Sequence, residues 1–220
     1  MHESTLAIID ANIRSGQDEL AREDLLARLR AYHEPCITPL WVNWLRDRAD
    51  LRLVCIVHRL DQLDDFLIDV VREATGVTGA SAVLSFGGRA NIARLMDIPL
   101  AAGGKRRLQA ATVSIAVAPG YDRAAFDAIW QVRPHAQVQP VWLLRTYHSY
   151  DADLNLFLLA RDEAAITGFV MSWVRPIEGV NDTVISSIKD WELMATGEQM
   201  IELAEEFFHL EDHRRHPTTP

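Results

Sequence analysis

Cysteine is scarce. Cys36 and Cys55 are the two in 220 residues, too few for a disulfide framework or a thiolate zinc cage. A reduced, cytoplasmic setting is therefore expected. Long apolar runs are also missing: no stretch of about 18 uncharged apolar residues occurs, which excludes a spanning helix. Met1-His2-Glu3-Ser4 carries neither the basic patch nor the apolar stretch of a secretory leader. Basic charge is in short supply, with 22 Lys and Arg against 31 Asp and Glu and a net charge of -9. Binding a polyanion depends on a basic surface, so direct contact with nucleic acid is not expected. Lys105-Arg106-Arg107 is a short basic run in a connecting segment and reads as a solvated spacer. Serine elbows, dinucleotide loops and phosphate cradles are absent, and Ser85-Phe86-Gly87-Gly88 reads as a strand end.

What the chain does have is apolar residues, 49% of the total against 24% charged, enough to bury a substantial core. It also has an internal duplication. Asp50-Leu51-Arg52-Leu53 aligns with Asp153-Leu154-Asn155-Leu156. The same offset pairs Phe66 with Phe169, Val71-Arg72 with Val174-Arg175 and Gly76-Val77 with Gly179-Val180, so that eight of the 28 positions from 50 to 77 are identical. Pro39-Leu40-Trp41 matches Pro140-Val141-Trp142 farther upstream. The boundaries read as a first repeat over 1–88, a linker over 89–109, a second repeat over 110–194 and a C-terminal helix and tail over 195–220.

Each repeat follows one order of patterns. In the second, Thr112 to Val117 is β-rich, Asp122 opens a short helix with Phe126, Ile129 and Trp130 inward, and Val138 to Thr146 and Leu154 to Ala160 form a hairpin. Asp162 then opens a helix with Ile166, Phe169, Val170, Trp173 and Val174 on one stripe, and Asp182 to Ile188 is the closing strand. The first repeat runs Leu6 to Ile13, a helix over Leu20 to Tyr32, the hairpin Ile37 to Leu45 and Leu51 to His58, a helix after Asp61, and Ser81 to Phe86. The sum is βαββαβ twice, the ferredoxin-like unit.

A sheet with one wet face alternates apolar and polar residues. Here Val54 and Ile56 are as apolar as Leu53, Cys55 and Val57, and Phe157 and Leu159 stand between Leu154, Leu156 and Leu158. Both faces are therefore buried. The fold class expected is α+β, two tandem ferredoxin-like units packed sheet to sheet as in a dimeric α/β barrel. The contact is made either within the chain or between chains, and covalent tandem copies favour the former. After the second repeat, Thr196 and Gln199 form a capping box ahead of a Met200, Leu203, Phe207, Leu210 stripe.

Chemistry-bearing clusters are few. His209, His213 and His216 have helical spacing but sit in a polar tail, and no metal site or cofactor is expected from them. Cys55, flanked by Val54 and Ile56, reads as a small core residue. The hairpin tips are the better candidates, because acidic and hydrogen-bonding groups recur there at equivalent places. For Asp50 and Asp153 two roles stay open, ligand contact and plain turn.

The stretch from Ala111 through Pro119-Gly120, Val138-Gln139-Pro140-Val141, Asp153-Leu154-Asn155-Leu156 and Glu178-Gly179-Val180-Asn181-Asp182-Thr183 resembles the effector-binding (RAM-type) domain of the Lrp/AsnC regulators. Tyr150 to Asp153 stands where that family has a G-x-y-D turn, without its glycine, and the family's helix-turn-helix is missing. The resemblance implies a non-enzymatic protein that binds a small effector such as an amino acid. Asp50, Asp153, Tyr150, Gly179, Asn181 and Thr183 would be the ligand-binding residues, and a companion regulator or self-assembly would transmit the signal. Two other readings share the architecture. One is a haem- or small-substrate-binding enzyme of the dimeric α/β-barrel type, with His58, His135 and His148 as candidate ligands; the other is a tandem ACT-type regulator.

Overall fold

The computed structural model describes residues 4–45, 50–91, 108–132, 137–147, 152–196 and 199–200. The first repeat comprises β1 (Thr5–Ile13), α1 (Asp18–Ala31), β2 (Ile37–Leu45), β3 (Leu51–Val57), α2 (Leu63–Phe66) and β4 (Val77–Ala90). The second comprises β5 (Gln109–Val117), α3 (Asp122–Gln131), β6 (Val138–Tyr147), β7 (Leu154–Ala160), α4 (Glu163–Phe169) and β8 (Val180–Leu193). Both repeats thus follow βαββαβ order, and their sheets face each other within one chain.

The facing is tighter than a stack of two sheets. The strands close into one barrel in the order β1-β3-β2-β8-β5-β7-β6-β4, and every neighbouring pair is antiparallel. Closure is the work of β4 and β8, 14 residues each. The first part of β8 pairs with β5 of its own repeat, from Val180 to Ile188. Its last part, to Leu193, pairs with Trp41–Leu45 of β2 in the other repeat. In the same way β4 pairs with β1 up to Ser85 and, from Leu84 through a register shift to Ala90, with Trp142–Tyr147 of β6. Both strands therefore run past the ends read from sequence, Phe86 and Ile188, because the extension belongs to the neighbouring sheet. Gly88 permits the second crossing: a Cβ there would lie 2.5 Å from the Leu143 carbonyl oxygen.

Three apolar clusters result. One lies between the first repeat's helices and the outer face of its strands, and a second is its counterpart in the other repeat. The third fills the barrel and draws on both: Leu6, Ile8, Trp41, Val54 and Ile56 meet Val141, Trp142, Phe157 and Leu159. Its centre is aromatic, with ring centroids 4.7 Å apart for Trp41 and Trp142 and 4.4 Å for Trp142 and Phe157. A fully buried side chain of this kind contributes about 1.5–3 kcal/mol, so the shared interior holds the two halves together.

The helices depart from expectation in one respect. After α2 and α4 the chain continues as a π-helical turn, Leu67–Arg72 and Val170–Val174 respectively. The wider turn shifts the inward stripe, so Val170 and Val174 are buried while Trp173, expected on the stripe, is 53% exposed. The capping box is formed: the Thr196 N–H donates to Gln199 Oε1 at 2.8 Å and the Gln199 N–H to Thr196 Oγ1 at 3.3 Å. Met200 is buried against the barrel interior. Leu203, Phe207, Leu210 and the three tail histidines lie outside the described residues.

Phe157→Ala is expected to cost about 3–5 kcal/mol while leaving one cooperative transition in urea. A loss below about 1 kcal/mol, or two separated transitions, would contradict a shared interior.

Candidate functional site

The barrel interior is apolar at one end and polar at the other. Along β1, Leu6 and Ile8 give way to Asp10 and Asn12. Along β3, Ile56 and Val54 give way to Arg52, and along β7, Leu159 and Phe157 give way to Asn155. Along β8, Ile188 is followed by Ser186 on the way to the same end. There the strands enclose a cavity of about 370 Å³ lined by Asp10, Asn12, Arg52, Ser114, Asn155 and Ser186 among the polar residues. Ile8, Leu45, Val83 and Val184 supply apolar wall.

Arg52 organises this end. Its Nε and Nη2 donate to the two carboxylate oxygens of Asp10 at 2.6 and 2.7 Å, and Nη1 donates to Thr112 Oγ1 at 2.8 Å. The Arg52 side chain is 9% exposed and that of Asp10 31%. Removing a guanidinium from water costs several kcal/mol, and only a bidentate partner with further hydrogen bonds offsets it. The pair is asymmetric between repeats: Asn155 stands where Arg52 does, and its register partner Ser114 stands where Asp10 does.

The six residues expected to bind a ligand are placed as follows. Asp50 Oδ2 accepts from the Ile13 N–H at 2.5 Å, and Asp153 Oδ2 accepts from the Val117 N–H at 2.6 Å. Each of those N–H groups follows a register shift that interrupts the ladder at the end of β1 or β5. A carboxylate held this way brackets the strand end, and the two repeats use it identically. Gly179 has φ +87°, and a Cβ there would lie 2.3 Å from Tyr121 Cβ. Its carbonyl accepts from the Ala118 N–H at 2.7 Å, as the Gly76 carbonyl does from Arg14 in the first repeat. Thr183 is half-buried opposite Ile115, and Asn181 is exposed. Asp153, Gly179 and Thr183 thus gather around the end of β5, while Asp50 sits at the equivalent end of β1. Tyr150 lies outside the described residues. None of the five described residues lines the cavity, although Ala152, next to Asp153, does.

Asp10, Arg52, Ser114 and Asn155 were missed, and a signal for them exists in the sequence. Arg52 and Asn155 are polar residues at equivalent places in strands that are otherwise apolar on both faces, which marks an interior polar position.

The sheet–helix spaces, where a flat cofactor would have to enter, are filled by the two outer clusters. A groove of about 480 Å³ beside α4, lined by Asp162, Gly168, Phe169 and Trp173, has no His, Cys, Tyr or Met among its described lining residues, and neither does the barrel-end cavity. Those are the side chains that hold haem iron. His58 has both ring nitrogens engaged, Nδ1 with Ser4 Oγ at 3.0 Å and Nε2 with Thr38 Oγ1 at 3.2 Å. His135 and His148 lie outside the described residues. Neither of these two cavities, then, has a described side chain to hold haem iron, and among the described residues no cluster of three His, Cys, Asp or Glu could hold a metal. Cys55 is fully buried, and burial pushes its thiol well above the usual range, away from the nucleophilic thiolate.

No family model and no curated protein sequence matches the chain. Solved structures do. A double mutant of chlorite dismutase from Candidatus Nitrospira defluvii aligns with 92% of this chain and 95% of its own, with TM-score 0.54 at 10% identity. The same enzyme in complex with imidazole aligns with 91% and 94%, with TM-score 0.53 at 12% identity. An anthrone oxidase-like protein aligns with 89% and 95%, with TM-score 0.54 at 9% identity.

The fold is chlorite dismutase-like.

This corrects the resemblance to Lrp/AsnC effector domains: the neighbours spanning some nine tenths of the chain are a chlorite dismutase and an anthrone oxidase-like protein. The physical reason is visible in the motifs themselves. The aspartate opening the third strand and the glycine after the second helix meet backbone demands of the βαββαβ unit, so they recur with the fold and do not single out one family. The reading as a non-enzymatic effector-binding protein, which rested on that resemblance, falls with it. No helix among the described residues is long and apolar enough to cross a membrane.

Asp153→Ala is expected to destabilise the chain by about 1–3 kcal/mol in urea unfolding, because the Val117 N–H loses a charged acceptor; an unchanged midpoint would contradict the bracket role. In a Cys36→Ser background, Cys55 is expected to react with Ellman's reagent only as fast as the chain unfolds. Rapid labelling of the native state would contradict its burial.

Proposed function

We propose that the chain is a small-substrate-binding enzyme of the dimeric α/β-barrel type, acting on an uncharged, hydrogen-bonding organic molecule in the polar end of its barrel. The observation carrying this reading is the Asp10–Arg52 pair set in the wall of a 370 Å³ cavity whose other polar lining, among the described residues, is neutral. The volume falls within the range of about 300–1,000 Å³ typical of small-molecule sites. A paired acid and base leave the site without net charge, which suits a neutral ligand, and the apolar wall of Ile8, Leu45, Val83 and Val184 accepts a ring. The anthrone oxidase-like neighbour supports testing phenols and aromatic ketones first.

The residues divide the work. Asp10, the more exposed partner, accepts a proton from a substrate O–H or activated C–H. Arg52 has five N–H donors, of which three are committed to Asp10 and Thr112; the remaining two stabilise the oxyanion that develops. Ser114, Asn155 and Ser186 orient the molecule from the second repeat. Because the aromatic interior closes the far end, the substrate enters and leaves by one mouth. The free, buried cysteines support a reducing, cytoplasmic setting.

A thermal-shift screen of anthrone, catechol and simple naphthols tests this reading. A ligand at 100 times its Kd stabilises by about 2.7 kcal/mol, or roughly 5–10 °C in Tm for a chain of this size. The shift is expected to vanish in the Asp10→Asn/Arg52→Met double variant, which removes the pair as a unit and strands no charge. No shift with any probe, or a shift that survives the double variant, would contradict the proposal.

A further inference from the structure

Behind Arg52 lies a polar side chain with nothing to bond. Along β2, Val42 and Trp44 pack outward under the first repeat's helices, whereas Trp41 and Leu45 face the barrel interior. Asn43 stands opposite Arg52 in the β2–β3 ladder, and so shares the inner face with it, and opposite Trp191 in the β2–β8 ladder. It is fully buried, and neither Oδ1 nor Nδ2 has a hydrogen-bond partner among the described residues. Two residues on, Leu45 forms part of the cavity wall, as Arg52 does. Asn43 is therefore the next inward-facing group beyond that wall.

The amide is costly and the fold does not require it. A buried donor or acceptor left unpaired is destabilising, and native structures satisfy nearly all such groups. The second repeat shows the alternative. The equivalent position, opposite Asn155, is Leu144, which packs into the barrel's apolar cluster. Leucine thus serves the same backbone setting in the same barrel. What an asparagine adds is a donor group and an acceptor side by side on the inner face, at the ladder position opposite Arg52.

We propose that Asn43 is a further substrate-contacting, specificity-determining residue of the barrel-end site, selecting molecules that carry a hydroxyl beside a carbonyl. The Asn43 Nδ2 donates to the carbonyl oxygen, and its Oδ1 accepts from the neighbouring hydroxyl. Asn43 is fully buried behind the cavity wall, so the group reaches it only when the Leu45 side chain gives way, with Arg52 as its neighbour in the ladder. This inference rests on the proposed function and names the feature of the substrate that the site reads. A site built to hydrogen-bond a substrate group rejects the analogue lacking it far more strongly than an apolar pocket rejects a missing methylene.

The test compares 2-hydroxyacetophenone, which has the paired groups, with acetophenone, which lacks the hydroxyl, against wild type, Asn43→Leu and the Asp10→Asn/Arg52→Met double variant. In Asn43→Leu the expected result is a Tm equal to or above wild type and affinity for the hydroxy-ketone at least tenfold weaker, with acetophenone, which meets only the Nδ2 donor, weakened by a smaller factor. Asn43→Ala serves in the same comparison if the leucine variant does not fold. Unchanged hydroxy-ketone affinity in the Asn43 variants overturns this inference. A lowered Tm with both affinities unchanged also overturns it, since the amide is then a structural group satisfied by water. If binding falls in the double variant but not in the Asn43 variants, this inference fails while the proposed function stands. If the wild type binds neither compound and no other probe, the proposed function fails and this inference with it.

Discussion

The structure depends on two seams, β2 against β8 and β4 against β6, where one repeat's last strand crosses into the other's sheet. Without them each repeat would be a four-stranded sheet with helices on one face and a bare apolar face on the other. With them the two bare faces enclose a common interior, and the sheet edges that would otherwise invite pairing with other chains are used up. Closure within one chain also means that the cavity wall is assembled from both halves: Asp10 and Arg52 from the first, Ser114, Asn155 and Ser186 from the second.

Duplication and divergence then separate scaffold from site. What the repeats share is backbone management. The aspartates that bracket strand ends, the positive-φ glycines after the second helices and the π-helical turns at the same place are common to both. What they do not share lies in the barrel. Arg52 answers to Asn155, Asp10 to Ser114 and Asn43 to Leu144. A symmetric frame holds an asymmetric interior, and the functional proposal rests on that asymmetry. Recurrence across the halves marks residues that the fold needs, so it was a poor guide to the site.

Much of the architecture could be read from sequence, because its determinants are local or periodic. Offset identities exposed the duplication, apolar residues on both strand faces required a second layer, and Thr196 with Gln199 announced a cap. The seams were hidden since Gly87-Gly88-Arg89 and Lys189-Asp190-Trp191 carry turn and charge signals, and their pairing partners lie far along the chain. Trp173 was misplaced because a helical stripe presumes a constant turn, which the π-helical segment breaks. The cavity residues escaped notice for a different reason. Arg52 and Asn155 were visible as polar interruptions of apolar strands, but which end of a barrel they would face depends on closure.

Hydrogen exchange of backbone amides, read residue by residue, tests barrel closure most directly. The account predicts that amides of Trp41–Leu45 and of the β8 segment that pairs with them exchange as slowly as those of β1 and β3, all through the same global opening. Exchange at the seam orders of magnitude faster than within either repeat would mean that the halves part independently, and a common interior with a site at its mouth would be untenable.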